Sequence, residues 1–155
     1  MDEDVTPNEP DPIRLAAWRG LLNAHAVAVG AIEREVAAAG DISLVWYDVL
    51  VALSEAPEQR LRLHQLAEAV VLSRSGLTRL LDRLGGAGLI ARAPCPADRR
   101  GAFAVLTPSG AAAVERTWPF YARGISRHFA AYLSEEEARL LAVALERVAA
   151  GDRAS

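Results

Sequence analysis

Residues 72–106 read Leu-Ser-Arg-Ser-Gly-Leu-Thr-Arg-Leu-Leu-Asp-Arg-Leu-Gly-Gly-Ala-Gly-Leu-Ile-Ala-Arg-Ala-Pro-Cys-Pro-Ala-Asp-Arg-Arg-Gly-Ala-Phe-Ala-Val-Leu, and this stretch decides the fold. Ser73 is a helix cap, and a helix follows to about Leu84, where the glycines at 85, 86 and 88 end it. On a wheel of about 100° per residue, Leu80, Leu81 and Leu84 fall within about 60° of Leu77 and form one apolar face. Ser75, Thr78, Arg79 and Asp82 fall on the opposite face, with Arg74 at the helix start. Two short apolar strands follow, 89–93 and 102–106. Between them the proline-, glycine- and charge-rich loop 94–101 has hairpin chemistry.

Upstream, Leu61-Arg62-Leu63 reads as a short extended piece leading into a small helix, 64–69, and a tight connection at 70–72. Ser43 caps a helix over 44–55 that Pro57 closes. Asp11-Pro12 opens a long helix, 12–38, with Leu15, Trp18, Leu22, Val29, Ile32 and Val36 at helical spacing and Gly40 as its stop. Residues 1–10 form an acidic, flexible arm. Downstream, Thr107-Pro108 starts a helix to about Tyr132 with Pro119 as a kink, and the capping box Ser134 to Glu137 starts another to about 150. A short helix, a tight turn, a second helix and a hairpin make a winged helix-turn-helix over about 44–106. The fold class is mainly α, with a two-stranded β-hairpin wing, and 11–150 reads as one domain.

Composition restricts the function. The chain has 155 residues, 52% hydrophobic and 24% charged, which is globular rather than disordered. No apolar run approaches the roughly 18 residues of a membrane span, and the acidic start is no targeting peptide, so a cytoplasmic location is expected. The net charge is −3, and all 17 basic residues are arginine. Six of them (Arg74, Arg79, Arg83, Arg92, Arg99, Arg100) lie between positions 74 and 100 against Asp82 and Asp98, a local charge of +4. Such a patch binds phosphate locally on an acidic body. Arginine, serine and threonine on an exposed helix face donate to phosphates and base edges in a major groove, and adjacent arginines on an exposed turn suit a minor groove. A solvated amphipathic helix would show the same wheel, and the hairpin loop is what tips the reading toward DNA.

The segment resembles the MarR family of transcription regulators. The resemblance rests on Leu66-Ala67-Glu68, residues 72–84, Gly88 to Arg92, Asp98-Arg99-Arg100-Gly101 and Leu106-Thr107-Pro108-Ser109-Gly110. It implies a homodimer in which the first helix and the last two (about 12–38, 108–132 and 134–150) form a helical dimerisation region, and each subunit offers a winged helix to half of a pseudo-palindromic operator. Carried over by position, Ser73, Arg74, Ser75, Thr78 and Arg79 open the recognition helix and Arg100 is the wing arginine. Asp98 pairs with Arg100 to stabilise the wing, and Arg99 touches phosphate. The family often takes small aromatic effectors, for which Trp18, His25, Trp46 and Tyr47 offer a pocket; core packing is the plain alternative for each. His25 on the apolar stripe also reads as a buried interface histidine. His64 departs from the family by standing where a serine or threonine cap is usual, which is expected to weaken the small helix.

Cys95, the one cysteine, excludes an internal disulfide and reads as an incidental exposed thiol in the wing. The dispersed histidines offer no metal site, no cofactor is implied, and no catalytic signature supports an enzyme. Two alternatives to a ligand-relieved repressor stay open: a winged-helix module that binds an acidic protein partner, and a DNA-binding regulator that responds to oxidation of Cys95.

Overall fold

The computed structural model describes residues 9–39, 42–70, 74–95 and 98–153; at 74–75, 98–101 and 152–153 it describes the backbone. Six helices and three strands follow one another as α1 (Pro12–Ala38), α2 (Leu44–Glu55), β1 (Arg60–Arg62), α3 (Leu63–Ala69), α4 (Arg74–Gly86), β2 (Ile90–Cys95), β3 (Asp98–Leu106), α5 (Pro108–His128) and α6 (Glu135–Arg153).

Local chemistry accounts for most helix starts. The Asp11 carboxylate accepts from the backbone N–H groups of Ile13 and Arg14, both at 3.0 Å. Arg14 also pairs with it, and these bonds hold the Asp11 carboxyl below its usual pKa. Ser43 accepts from Trp46 N at 3.4 Å. Ser134 accepts from Glu137 N at 3.3 Å while Glu137 accepts from Ser134 N at 2.8 Å, a reciprocal box. The small helix departs from expectation. It begins one residue early, so His64 is its second residue and Arg62 holds the cap position. The missing cap is supplied from inside, because Gln65 Oε1 accepts from Arg62 N at 3.0 Å. The stops expected at Gly40 and the cap expected at Ser73 lie outside the described residues.

The expected two-stranded hairpin, β2 with β3, is present, and a third strand joins it. The sheet has three antiparallel strands in the order β1-β3-β2, because the extended piece before α3 pairs with β3, Leu61 opposite Ala104. Strands β2 and β3 also run further toward the tip than apolar residues alone mark. Pairing extends from Ile90–Leu106 to Pro94–Ala102 and, after a register shift, to Cys95–Asp98. Arg99 and Arg100 therefore belong to strand backbone rather than to a turn. Cys95 is 5% exposed, so the expectation of an exposed thiol is corrected: the shifted register puts it in the sheet, on the buried side.

The main core joins α2, α3, α4, the sheet and the start of α5 around Leu50, Leu53, Leu66, Leu81 and Leu84. A second cluster of Ile32, Val36 and Leu44 packs with Phe120 and Ile125 where α1 meets α5. There Gly124 lets the helices close: a Cβ on it would sit 3.1 Å from Ile32 Cγ2. The seam is tied at its end by Glu35, whose Oε1 lies 2.7 Å from His128 Nε2 and 3.0 Å from Arg127 Nη1. His128, then burial in opposition, then Arg127 set the Glu35 pKa, with a net lowering. Thr117, fully buried in α5, has a hydroxyl without a hydrogen-bond partner among the described residues. Helix α5 continues through Pro119 but ends at His128, short of Tyr132, and a 3-10 turn takes over at Ala130.

Much apolar surface is bare. Trp18, Leu22 and Val27 on α1 and Leu140, Val143 and Val148 on α6 are all exposed, and the described part of α6 buries no residue. By length and composition alone α1 is long and apolar enough to cross a membrane, although no uninterrupted apolar run in it approaches 18 residues.

Candidate nucleic-acid interface

The surface begins with α4. Leu77, Leu80, Leu81 and Leu84 are buried at 8% exposure or less, as the wheel requires. Each contributes on the order of 1.5–3 kcal/mol on burial, which fixes the rotation of the helix. Thr78, Arg79 and Asp82 are consequently exposed on its outer side. Backbone at Arg74 and Ser75 forms the first turn; Ser73 lies outside the described residues. Gly88, at φ +74°, takes the left-handed position after α4, and Leu89 N returns to Leu84 O at 3.0 Å.

The six arginines of the basic stretch do not act alike. Arg92 Nη2 bonds Asp82 Oδ1 at 2.7 Å, tying β2 to α4 across an exposed surface. Arg83 lies over the Trp46 ring, 5.6 Å from its centroid, and links α4 to α2. These two hold the scaffold, while Arg79 is exposed on the outer side of α4; for Arg74, Arg99 and Arg100 the structure describes the backbone alone. Asp98, Arg99 and Arg100 are placed by backbone in β3, at the tip of the sheet.

Sequence reasoning missed Arg60 and Arg62. They flank Leu61 on the edge strand, and both stack on Phe103, at 5.0 and 5.8 Å from the ring centroid. The Arg-Leu-Arg alternation beside an extended piece was the available signal. Arg60 is also paired with Glu58.

The joint between wing and α5 is built on the Leu106 to Gly110 motif. Thr107 Oγ1 donates to Gly88 O at 2.7 Å and accepts from Gly110 N at 3.0 Å, while Thr107 N donates to Leu89 O at 3.2 Å. A Cβ at Gly110 would sit 2.1 Å from that same Leu89 oxygen. Only glycine allows α5 to start this close to the wing, so the helix leading away from the site is rigidly referenced to it.

The four residues expected to line an effector pocket are not drawn together within one chain. Trp18 is 56% exposed on α1, and His25 is exposed in the single chain. Trp46 is half-buried beneath Arg83. Tyr47 is buried and meets Tyr121 edge-on at 5.1 Å between centroids, with Trp118 edge-on to Tyr121 at 6.3 Å. Burial, then Tyr121 and the acids Asp48 and Glu55, push the Tyr47 phenol pKa up. For Tyr121 the causes are burial and Asp48.

Comparison with known proteins places this geometry. A MarR-family model matches residues 40–101. The multiple antibiotic resistance protein MarR of Salmonella typhimurium is 32% identical over 84 residues, covering 54% of this chain and 58% of that protein. The chain thus spans little more than half the length of the curated relatives it matches. Among solved structures, AbsC from Streptomyces coelicolor, a MarR family transcriptional regulator, superposes with a TM-score of 0.83 at 31% identity, over 96% of this chain and 99% of that one. Sco3205 from the same organism, a MarR family transcriptional regulator in complex with DNA, has a TM-score of 0.83 at 30% identity, over 94% and 91%. With a recognition-type helix, a paired wing and this near-complete match, the chain belongs to the MarR family of transcriptional regulators.

Proposed function

We propose that the protein is a homodimeric, cytoplasmic transcription regulator that binds a pseudo-palindromic operator as a repressor and is released by a small aromatic effector. The observation that carries this reading is α4: its leucine face is buried while Thr78 and Arg79 stand exposed, and the central strand of the adjoining sheet carries Arg99 and Arg100 at its start. The Streptomyces relative solved in complex with DNA supports the same use of the same elements. Helix α4 of each subunit enters a major groove, the two half-sites lie about 10 bp apart, and the wings reach the flanking minor grooves. Ser73, Arg74, Ser75, Thr78 and Arg79 open the contact, Arg99 meets phosphate, and Arg100, braced by Asp98, reaches the minor groove.

The bare apolar side chains of α1 and α6 supply the surface a second copy would cover. Trp18 and His25 from α1 and Trp46 and Tyr47 from α2 then border the junction between dimerisation helices and DNA-binding lobe. An effector seated there changes the separation of the two recognition helices, so that both no longer dock at once. The buried state of Cys95 favours neither an oxidation sensor nor an exposed redox thiol.

A gel shift on the DNA upstream of the protein's own coding region, combined with light scattering of the free protein, tests the reading. A retarded complex and a two-chain mass are expected. A monomer, or the absence of any shift at low salt, would refute it, and the latter would favour the protein-partner alternative.

A further inference from the structure

A groove of about 510 Å³ runs along α2, and no described residue of α4 lines it. Its walls are apolar: Val51 and Ala52 of α2, Pro57 beyond it, Leu61 of β1 and Val70 at the end of α3. Small-molecule sites usually fall in the range of about 300–1,000 Å³, so the size suits an organic ligand. The groove's charge is one-sided. Asp48 and Glu55 both line it, and among the described residues no arginine or histidine does. The arginines nearest in sequence, Arg60 and Arg62, stack on Phe103 and alternate with Leu61 along the strand, so they point away from it. Among the described residues neither Asp48 nor Glu55 is ion-paired. They are two helical turns apart on one face of α2, so their carboxyl groups are separated by about 10 Å along the groove.

We propose that this groove binds an elongated organic cation, an aliphatic amine or quaternary ammonium with a hydrocarbon body, whose body lies on Val51, Leu61 and Val70 and whose charged ends meet Asp48 and Glu55. Charge complementarity selects this occupant. An anion meets two carboxylates and no counter-charge. A neutral apolar ligand covers the walls but strips water from the carboxylates without replacing it. A cation does both. The state of Asp48 agrees: burial, and the nearby charge of Glu33, hold its carboxyl pKa above the usual range. The charge of a bound cation favours the carboxylate and so offsets both causes. None of the groove's lining residues is among those the DNA-contact reading uses, so the site stands whether or not that reading does.

The test is calorimetric titration of the full-length protein, without DNA, with decamethonium, a ten-carbon chain ending in two quaternary ammonium groups. Sebacate, a ten-carbon chain ending in two carboxylates, is the control. We expect one decamethonium per chain, no heat from sebacate, and at least tenfold weaker decamethonium binding by an Asp48→Asn, Glu55→Gln variant. Ala52→Arg, which places a cation in the groove, should abolish binding while leaving the circular dichroism spectrum intact. Absence of decamethonium binding, unchanged affinity in either variant, or equal binding of sebacate overturns the proposal.

Discussion

Gly110→Ala should break the joint that sets the wing against α5. The added Cβ would lie 2.1 Å from Leu89 O and 2.8 Å from Leu106 Cδ1, where contacts of 3.4 Å and above are ordinary. The leucine methyl can rotate aside, but the oxygen is backbone and accepts Thr107 N at 3.2 Å. Relief therefore means moving the start of α5 off the sheet. Overpacking of this kind costs about 1–3 kcal/mol, and loss of the Thr107 hydrogen bond adds about 0.5–1.5 kcal/mol, for a total of roughly 1.5–4.5 kcal/mol. Urea denaturation followed by tryptophan fluorescence, at fixed protein concentration, reads it as a lower midpoint at unchanged slope. Gly85→Ala is the matched comparison, since a Cβ there meets nothing within 4 Å. Because Gly85 sits in α4 with helical backbone, alanine should be neutral or stabilising by up to about 1 kcal/mol. A Gly110→Ala cost below about 1 kcal/mol, or one no larger than that of Gly85→Ala, would refute the close-approach argument.

Arg100→Ala should weaken binding to every operator sequence and lower the salt slope by about 1; an unaltered slope would mean that the wing arginine touches no phosphate. Arg79→Ala, on the exposed side of α4, should relax base preference at particular positions by about 1–3 kcal/mol, and a uniform loss across sequences would reduce it to a phosphate contact. Truncation after Ser134 removes α6 with its bare Leu140, Val143 and Val148 and should yield a monomer by light scattering, so a stable truncated dimer would overturn the interface. Glu35 has a lowered pKa in the fold relative to the usual 4.5, first through His128. A depressed carboxyl stabilises above its unfolded pKa, and the contribution disappears as the pH falls through the folded one. Glu35→Gln should therefore be less stable than the parent at neutral pH and converge with it in acid below about 4.5; a gap that persists in acid would sink the ion-pair assignment.

What could be read without coordinates was what depends on neighbours in sequence. The caps at Asp11, Ser43, Thr107 and Ser134 are bonds spanning two or three residues, so the residue types announce them. The leucine stripe of α4 likewise needs only the helical period. The sheet was harder because its pairing is non-local: nothing around Leu61 reveals that Ala104 lies opposite. The same holds for Cys95, whose burial follows from a register shift in strands whose polar tips resemble a loop. His64 misled because the cap came from Gln65, three positions after the residue it serves. The DNA-facing side chains were legible as a pattern, yet the division of labour among the arginines was not. Arg83 and Arg92 find Trp46 and Asp82 only once α4 is packed. The effector quartet remains dispersed in one chain, since two of its members point outward from α1.

The hydrocarbon left uncovered along α1 and α6 has a consequence for the protein's supply in the cell. Two rods dressed in tryptophan, leucine and valine gain their shelter from a twin, so the population that stays native depends on how many copies are made. A scarce subunit would spend longer unaccompanied, where proteases and chaperones compete for it; a plentiful one would escape them. Gene dosage would then tune the switch twice, once by occupancy of the operator and once through the lifetime of the subunit.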